Sequence, residues 1–287
     1  MRLFKRTFFW ILPLVLINGI MGWGYDVHRR INYKAAQILE GQLGEFSQRH
    51  ADELALYGPV PDYIKSAHSD EFNRHFIDAD LYGDYPFTEL SIDYKTLVNK
   101  YGKDNIEKWG SAPWVIEETA NILIKMFKQE RWDEVVFYMG YLGHYVADLH
   151  MPFHTCANYN GQFTGNDGIH FRWESRMVDT LIPHFEAKGN IGIIDQFVES
   201  ALAITKDSFI VYPQILRADS VARQHLTEEQ KKELNTYNFL PYEDQYLNIL
   251  FEETEYLARD RLGKAATLTA SFWLTCWKEA GSPPLPR

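Results

Sequence analysis

The stretch GHYVADLHMPFH, residues 143–154, contains the pattern from which both a fold and a site can be predicted. Its apolar residues recur at three- or four-residue intervals, which indicates a helix packed on a core. His144 and Asp148 stand four residues apart, so a helix places both side chains on one face. Pro152 predicts that the helix ends just before it. His154 is therefore expected on the segment that leaves this helix.

The same helical spacing recurs along the rest of the chain, whereas strand-like alternation is nearly absent. The chain has 287 residues, of which 46% are hydrophobic, and it has no internal repeat and no Ser/Gly-rich linker. We therefore predict a single all-α domain of many helices. The expected helices are Ile31–Leu43, Trp114–Phe127, Val135–Leu149, Met177–Phe185, Ile191–Ile204 and Leu247–Trp277.

The amino terminus has the composition of a secretory signal peptide. Residues 1–22 begin with the basic MRLFKR, continue with the apolar TFFWILPLVLINGI and end in MG. We expect cleavage before Trp23, a mature domain of residues 23–287, and a secreted or periplasmic protein; an uncleaved membrane anchor is the alternative. After export, Cys156 and Cys276 could form a disulfide or remain two separate buried thiols.

Composition limits the classes of function. The net charge of −10 argues against binding nucleic acid through a broad basic surface, and two cysteines exclude a Cys-rich zinc site. Ten histidines leave imidazole and carboxylate as the available metal ligands. His170 and Glu174 repeat the helical spacing after His154, and the stretches NRHFIDAD and PVPDY supply His75 and Asp62. Such groups are costly to bury unless a divalent cation compensates several at once.

Together with WGYDVH at residues 23–28, these motifs resemble the zinc-dependent phospholipase C and single-strand nuclease superfamily, in the same order and at near-matching spacings. The resemblance implies an all-α domain with a cleft that binds three zinc ions. It implies that the free α-amine and carbonyl oxygen of Trp23 bind one zinc beside His28. It implies that Asp62, His75, His144 and Asp148 bind a second zinc, with Asp148 bridging the two, and that His154, His170 and Glu174 bind the third.

The resemblance also implies hydrolysis of phosphodiester bonds, with Asp62 orienting or deprotonating the attacking water. Asp26, Tyr63 and Phe72 fall where the lipase branch binds choline, which favours a phospholipase C that cleaves the glycerol–phosphate bond of phospholipids. The short spacing from Trp23 to the first histidine, and the stretch HFIDAD, are more similar to the nuclease branch. A zinc-binding protein without catalysis is a further alternative.

The expected partners follow from this interpretation. We expect a phospholipid or another phosphodiester as substrate, with single-stranded nucleic acid as the alternative, and a transient contact with a membrane surface. We expect a monomer that carries three zinc ions.

Overall fold

The structure, a computed structural model, describes residues 24–234 and 243–286. The predicted signal peptide, its cleavage site and Trp23 lie outside the described residues, so the predicted domain boundary stays a prediction. Within those ranges every regular element is a helix, which confirms the prediction of an all-α fold. None of these helices combines the length and the apolar composition needed to cross a membrane.

Fourteen α-helices follow one another along the described chain. The first eight are α1 (Tyr25–Ile38), α2 (Gly41–Arg49), α3 (Ala51–Tyr57), α4 (Val60–Ala67), α5 (Tyr94–Tyr101), α6 (Lys103–Trp109), α7 (Ala112–Lys128) and α8 (Trp132–His150). The others are α9 (Ile169–Phe171), α10 (Val178–Leu181), α11 (Phe197–Phe209), α12 (Tyr212–Arg223), α13 (Glu228–Leu234) and α14 (Glu243–Glu279). Short 3₁₀ segments cover Ser69–Arg74, Ala79–Tyr82 and Pro152–Thr155, and a π-helical segment covers Arg172–Met177.

Helix α8 lies at the centre of the fold, where it packs against α1, α3, α7 and α14. Its carboxyl half is buried on every side, and Trp273 of α14 donates from its indole nitrogen to the backbone oxygen of Met139 at 2.7 Å. The end of α8 contributes to two hydrophobic clusters, with Val146 and Leu149 in one and Ala147 in the other. Polar side chains placed there are enclosed by apolar packing.

Helices α1 and α8 cross closely because small residues occupy the crossing. A Cβ atom at Gly143 would lie 2.0 Å from Oδ1 of the buried Asn32. Asn32 donates from Nδ2 to the backbone oxygen of Gly140 at 2.9 Å, which ties the two helices together. The crossing stacks His28 of α1 on His144 of α8, with ring centroids 3.9 Å apart.

Three of the predicted helices have wrong boundaries. The predicted helix Ile31–Leu43 is two helices, because the chain is extended at Leu39 between α1 and α2. The helix predicted over Met177–Phe185 ends at Leu181, and the one predicted over Ile191–Ile204 begins only at Phe197.

Residues 182–196 form an extended segment, called the strap below, where the two predicted helices would have continued. Its Pro183 and glycines disfavour a helix, and side chains of α14 replace the helical hydrogen bonds. The backbone nitrogen of Gly192 donates to Ser271 Oγ at 3.2 Å, and that of Ile194 donates to Thr275 Oγ1 at 2.9 Å. Cys156 and Cys276 are both buried and free, so the alternative of two separate thiols is confirmed.

Candidate metal centre

The centre of the site is the pair of polar side chains on the buried face of α8. His144 and Asp148 are both completely buried, and Nε2 of the imidazole lies 3.1 Å from Oδ2 of the carboxylate. The other ring nitrogen, Nδ1, donates to the backbone oxygen of Gly58 at 2.8 Å. That hydrogen bond fixes the ring and leaves the lone pair of Nε2 directed at the site.

Three further side chains converge on this pair. His28 on α1 places Nε2 3.5 Å from Oδ1 of Asp148, whereas His75 places Nδ1 2.9 Å from Oδ2 of the same carboxylate. Asp62 on α4 places Oδ1 3.7 Å from His75 Nδ1 and 3.9 Å from His144 Nε2. The two oxygens of Asp148 therefore face two different groups of ligands, as a bridging carboxylate does.

A second set of ligands lies on the segment that follows α8. His154 is in the 3₁₀ segment after Pro152, and its Nδ1 donates to the backbone oxygen of His75 at 3.0 Å. Glu174, on the π-helical segment, lies with Oε2 3.1 Å from His170 Nε2 and 3.9 Å from His154 Nε2. All three side chains are buried.

The donor atoms form three groups that could each hold a metal ion. Within each group the candidate ligand atoms lie within 4.8 Å of one another. The groups are His28, His144 and Asp148; Asp62, His75 and His144; and His154, His170 and Glu174. The structure thus brings together every predicted ligand that lies in its described ranges.

The candidate ligands fit divalent cations because several of their buried polar atoms lack a hydrogen-bond partner among the described residues. Both carboxylate oxygens of Glu174 and the Nδ1 atom of His28 are buried and have no hydrogen-bond partner among the described residues. Burial, with the charge of Asp148, raises the pKa of Glu174 well above its ordinary value, a shift that a bound cation would reverse. The donor set of imidazole and carboxylate, without thiolate, is one that zinc accepts.

The protonation states of three further ligands also suit cation binding. Burial raises the pKa of Asp62, but the charges of His144 and Lys65 oppose burial and lower it to about 2 overall. Burial lowers the pKa of His75 to about 3 and that of His154 to about 4. At neutral pH these groups are an ionised carboxylate and neutral imidazoles, the forms that bind metal.

A cavity of about 250 Å³ opens beside the ligands, so a substrate can reach them. Four aromatic side chains form its apolar walls, and two lysines add positive charge. The lining residues are His75, His154 and His170 on the ligand side, Phe72, Phe76, Phe153 and Tyr159 on the apolar walls, and Lys65, Asn73, Asp78 and Lys108 as polar groups.

The three residues predicted to bind choline are not brought together in this cavity. Phe72 lines it and packs edge-to-face on Phe76, with ring centroids 5.7 Å apart. Tyr63 is half-exposed and stacks on Tyr25 at 4.7 Å, and the exposed Asp26 forms an ion pair with an arginine of its own helix. Of this set, only the phenylalanine lies where the substrate would enter.

Two residues of the site were not predicted from the sequence. The side chain of Lys65 is only 7% exposed, and its Nζ lies 2.5 Å from Oδ1 of Asp62. Glu71 is buried with Oε1 3.7 Å from Nε2 of His75. A signal existed for the second residue, because Glu71 precedes His75 by four positions, the same interval as the recognised pairs.

Comparison with known proteins agrees with this geometry. The model of the family described as zinc dependent phospholipase C matches residues 27–235. The matched range contains all of the candidate ligands that the structure describes, from His28 to Glu174. Among curated proteins, no match to the chain was found.

Proposed function

Since the chain belongs to the zinc-dependent phospholipase C family, we propose that it is a phospholipase C that cleaves the glycerol–phosphate bond of phospholipids at this site. Membership of the family implies a zinc-dependent hydrolase of phosphoric esters. The observation that carries the proposal is the convergence of three buried ligand groups, two of which share His144, beside a cavity with aromatic walls. A substrate with a phosphate ester and an apolar diacylglycerol portion matches that combination.

We infer that the site holds three zinc ions, one at each ligand group. His28, Asp148 and the mature amino terminus at Trp23 would hold one of them, which requires export and removal of the signal peptide, because an amide nitrogen has no free lone pair. When bound, zinc ions supply positive charge that stabilises phosphoryl oxygens and activates water as a nucleophile.

The remaining tasks belong to side chains of the chain itself. Asp62 is ionised, so its carboxylate can orient the attacking water and accept a hydrogen bond from it. Lys65 carries a positive charge into the cavity, where the N–H groups that do not contact Asp62 can donate to phosphoryl oxygens. Phe72, Phe76 and Tyr159 cover the apolar part of the substrate and exclude water from the cavity.

A single-strand nuclease of the same superfamily is the second candidate, and specific observations favour it. Two of the three expected choline-binding side chains lie outside the cavity, so a quaternary ammonium group has few partners there. Lys65 and Lys108 suit a second phosphate, and aromatic walls can stack on bases. The net charge of −10 is a general argument against nucleic acid, but it does not describe this cavity.

The test compares two substrates on the same preparation. Protein beginning at Trp23 and loaded with zinc is assayed on a phosphocholine ester and on single-stranded DNA and RNA. We expect release of phosphocholine, and loss of that activity in Asp62→Asn but not in the control Asp52→Asn, which changes an exposed residue of α3. Cleavage of nucleic acid alone would show that the protein is a nuclease and not a phospholipase C. Bound zinc without turnover on either substrate would favour the zinc-binding protein.

A further inference from the structure

His75 is oriented so that only one of its ring nitrogens faces the candidate ligands. Nδ1 lies 2.9 Å from both Asp148 Oδ2 and His144 Nε2. Nε2 points away from that group, is buried and has no hydrogen-bond partner among the described residues. A ring nitrogen in this position needs an acceptor, because a neutral imidazole whose Nδ1 binds a cation carries its proton on Nε2.

The group that faces this nitrogen is the carboxylate of Glu71, with Oε1 at 3.7 Å. Two neighbours hold it in place: the hydroxyl of Tyr145 donates to Oε1, and Nε of Arg74 lies 3.3 Å from Oε2. Burial raises the pKa of Glu71, and the hydrogen bond from Tyr145 and the charge of Arg74 oppose that shift. The separation of 3.7 Å is longer than a hydrogen bond and must shorten by about 0.5 Å to become one.

We propose that Glu71 is a positioning residue of the metal centre, whose carboxylate accepts the Nε2–H of His75 and so fixes the tautomer and the orientation that direct Nδ1 at a cation. This inference rests on the proposed function only in taking Asp62, His75 and His144 as ligands. The role is distinct from that of a ligand, because Glu71 contacts the outer edge of the ring and belongs to none of the three ligand groups.

Other imidazoles of the site are oriented differently, which makes the effect of Glu71 specific. His144 donates to the backbone oxygen of Gly58, and His154 donates to that of His75. A carbonyl orients the ring, whereas a carboxylate also adds negative charge and raises the basicity of the ligating nitrogen. Loss of Glu71 should therefore weaken the cation held by His75 more than the others. Removal of such outer partners typically lowers metal affinity by about 10–100-fold.

The matched control is Glu118, an exposed partner of the same arginine, with Oε2 3.2 Å from Arg74 Nη1. Zinc affinities of the wild-type protein, Glu71→Gln, Glu71→Ala and Glu118→Gln are measured by competition with a coloured chelator. We expect one class of zinc to bind about 10–100-fold more weakly in both Glu71 variants and to be unchanged in Glu118→Gln. Urea unfolding of the metal-free proteins identifies any general loss of stability, and Glu71→Gln keeps the shape of the side chain if Glu71→Ala does not fold.

A spectroscopic measurement separates positioning from packing. In the zinc-loaded protein, imidazole ¹⁵N–¹H spectra should show His75 protonated at Nε2, with its proton resonance shifted upfield in Glu71→Gln. Unchanged zinc affinity and an unchanged resonance in Glu71→Gln would overturn the proposal while leaving the metal site intact. A wild-type protein that binds no zinc would contradict the proposed function itself.

Discussion

At the scale of single residues, the cavity contains a carboxyl group that forms no ion pair with a lysine or arginine of the described residues. Asp78 lines the cavity, and burial, followed by the negative charge of Asp80, raises its pKa from 3.8 to about 7. Because the folded-state pKa is above the unfolded value, the protonated carboxyl group favours the fold. Its contribution to stability is complete below pH 3.8 and is lost as the pH rises through about 7.

Asp78→Asn should remove this pH dependence. Relative to the wild-type protein, the variant should gain about 2 kcal/mol more stability at pH 8 than at pH 5, since one pKa unit corresponds to about 1.4 kcal/mol and partial exposure reduces the effect. Urea unfolding at both pH values, in the same buffer and zinc concentration, measures the difference. The exposed Asp84, as Asp84→Asn, is the control. A gain of the same size at both pH values would contradict the assigned pKa.

Lys65 is the second residue whose role can be tested alone. Lys65→Met should lower kcat/KM for a phosphodiester by about 10–100-fold, because a hydrogen bond to a charged group contributes about 1.5–3 kcal/mol. Lys108→Met is the matched control, since Lys108 lines the same cavity but is exposed to solvent. We expect the control to change kcat/KM by less than about threefold. Equal effects of the two variants would show that Lys65 supplies only general positive charge.

The residues that were predicted and those that were missed differ in how their contacts arise. His144 and Asp148 share a helix, as His170 and Glu174 share one helical turn, so spacing alone predicts that each pair lies on one face. Lys65 was missed because residues 57–62 read as a loop rich in Pro and Gly, whereas α4 begins at Val60. Lys65 reaches the site because it lies on α4 with Asp62, and the sequence did not indicate that helix.

At the scale of elements, the π-helical segment is the part of the fold that most needs support, because it carries Glu174. The buried Arg172 holds this segment in place. Its Nη2 lies 3.2 Å from Oδ1 of Asp219 on α12. Its Nε donates to the hydroxyl of Tyr246 on α14 at 3.0 Å. The same aspartate pairs with Arg223 at 2.7 Å. The hydroxyl of Tyr246 also donates to this aspartate, so one buried carboxylate joins the π-helical segment, α12 and α14 behind the third ligand group.

This network predicts a large difference between two substitutions. Asp219→Ala leaves the buried charge of Arg172 without its ion pair and should cost about 3–5 kcal/mol of stability. Tyr246→Phe keeps the ion pair but removes a hydroxyl group that hydrogen-bonds both Arg172 and Asp219, and it should cost about 1.5–3 kcal/mol. Urea unfolding of the two variants measures both free energies. Similar losses in the two variants would show that the ion pair is not what holds the segment.

The sequence predicts helices correctly where a nearby residue or a long apolar pattern determines them. Pro152 correctly predicts the end of α8, and the long apolar pattern of Leu247–Trp277 lies within α14. The strap of residues 182–196 was not predicted, because its apolar spacing is compatible with a helix. Hydroxyl groups of α14, far along the chain, supply its hydrogen bonds, as Ser271 does for Gly192.

At the scale of the whole molecule, the ligand groups join elements that are distant along the chain. His28 comes from α1, Asp62 from α4, Asp148 from α8 and Glu174 from the π-helical segment. Cations at these groups would therefore act as cross-links of the folded state and would bind the unfolded chain weakly. Binding that favours the folded state stabilises it according to the free concentration of the ligand.

Removal of zinc should lower the melting temperature. At a free zinc concentration about 100 times the dissociation constant, each site contributes about 2.7 kcal/mol. In a domain of this size 1 kcal/mol corresponds to about 2–4 °C, so we expect a chelator to lower Tm by about 10 °C or more. Added zinc should restore it, and magnesium should not. An unchanged Tm in chelator would show that no structural cross-link by metal exists.

The central claim is that buried imidazoles and carboxylates of α1, α4, α8 and the following segment hold zinc ions. A crystal of the zinc-loaded protein, measured on both sides of the zinc absorption edge, locates those ions directly. The account predicts anomalous peaks at coordination distance from His28 and Asp148, from Asp62, His75 and His144, and from His154, His170 and Glu174. Peaks elsewhere on the protein, or no peaks in zinc-loaded crystals, would contradict it.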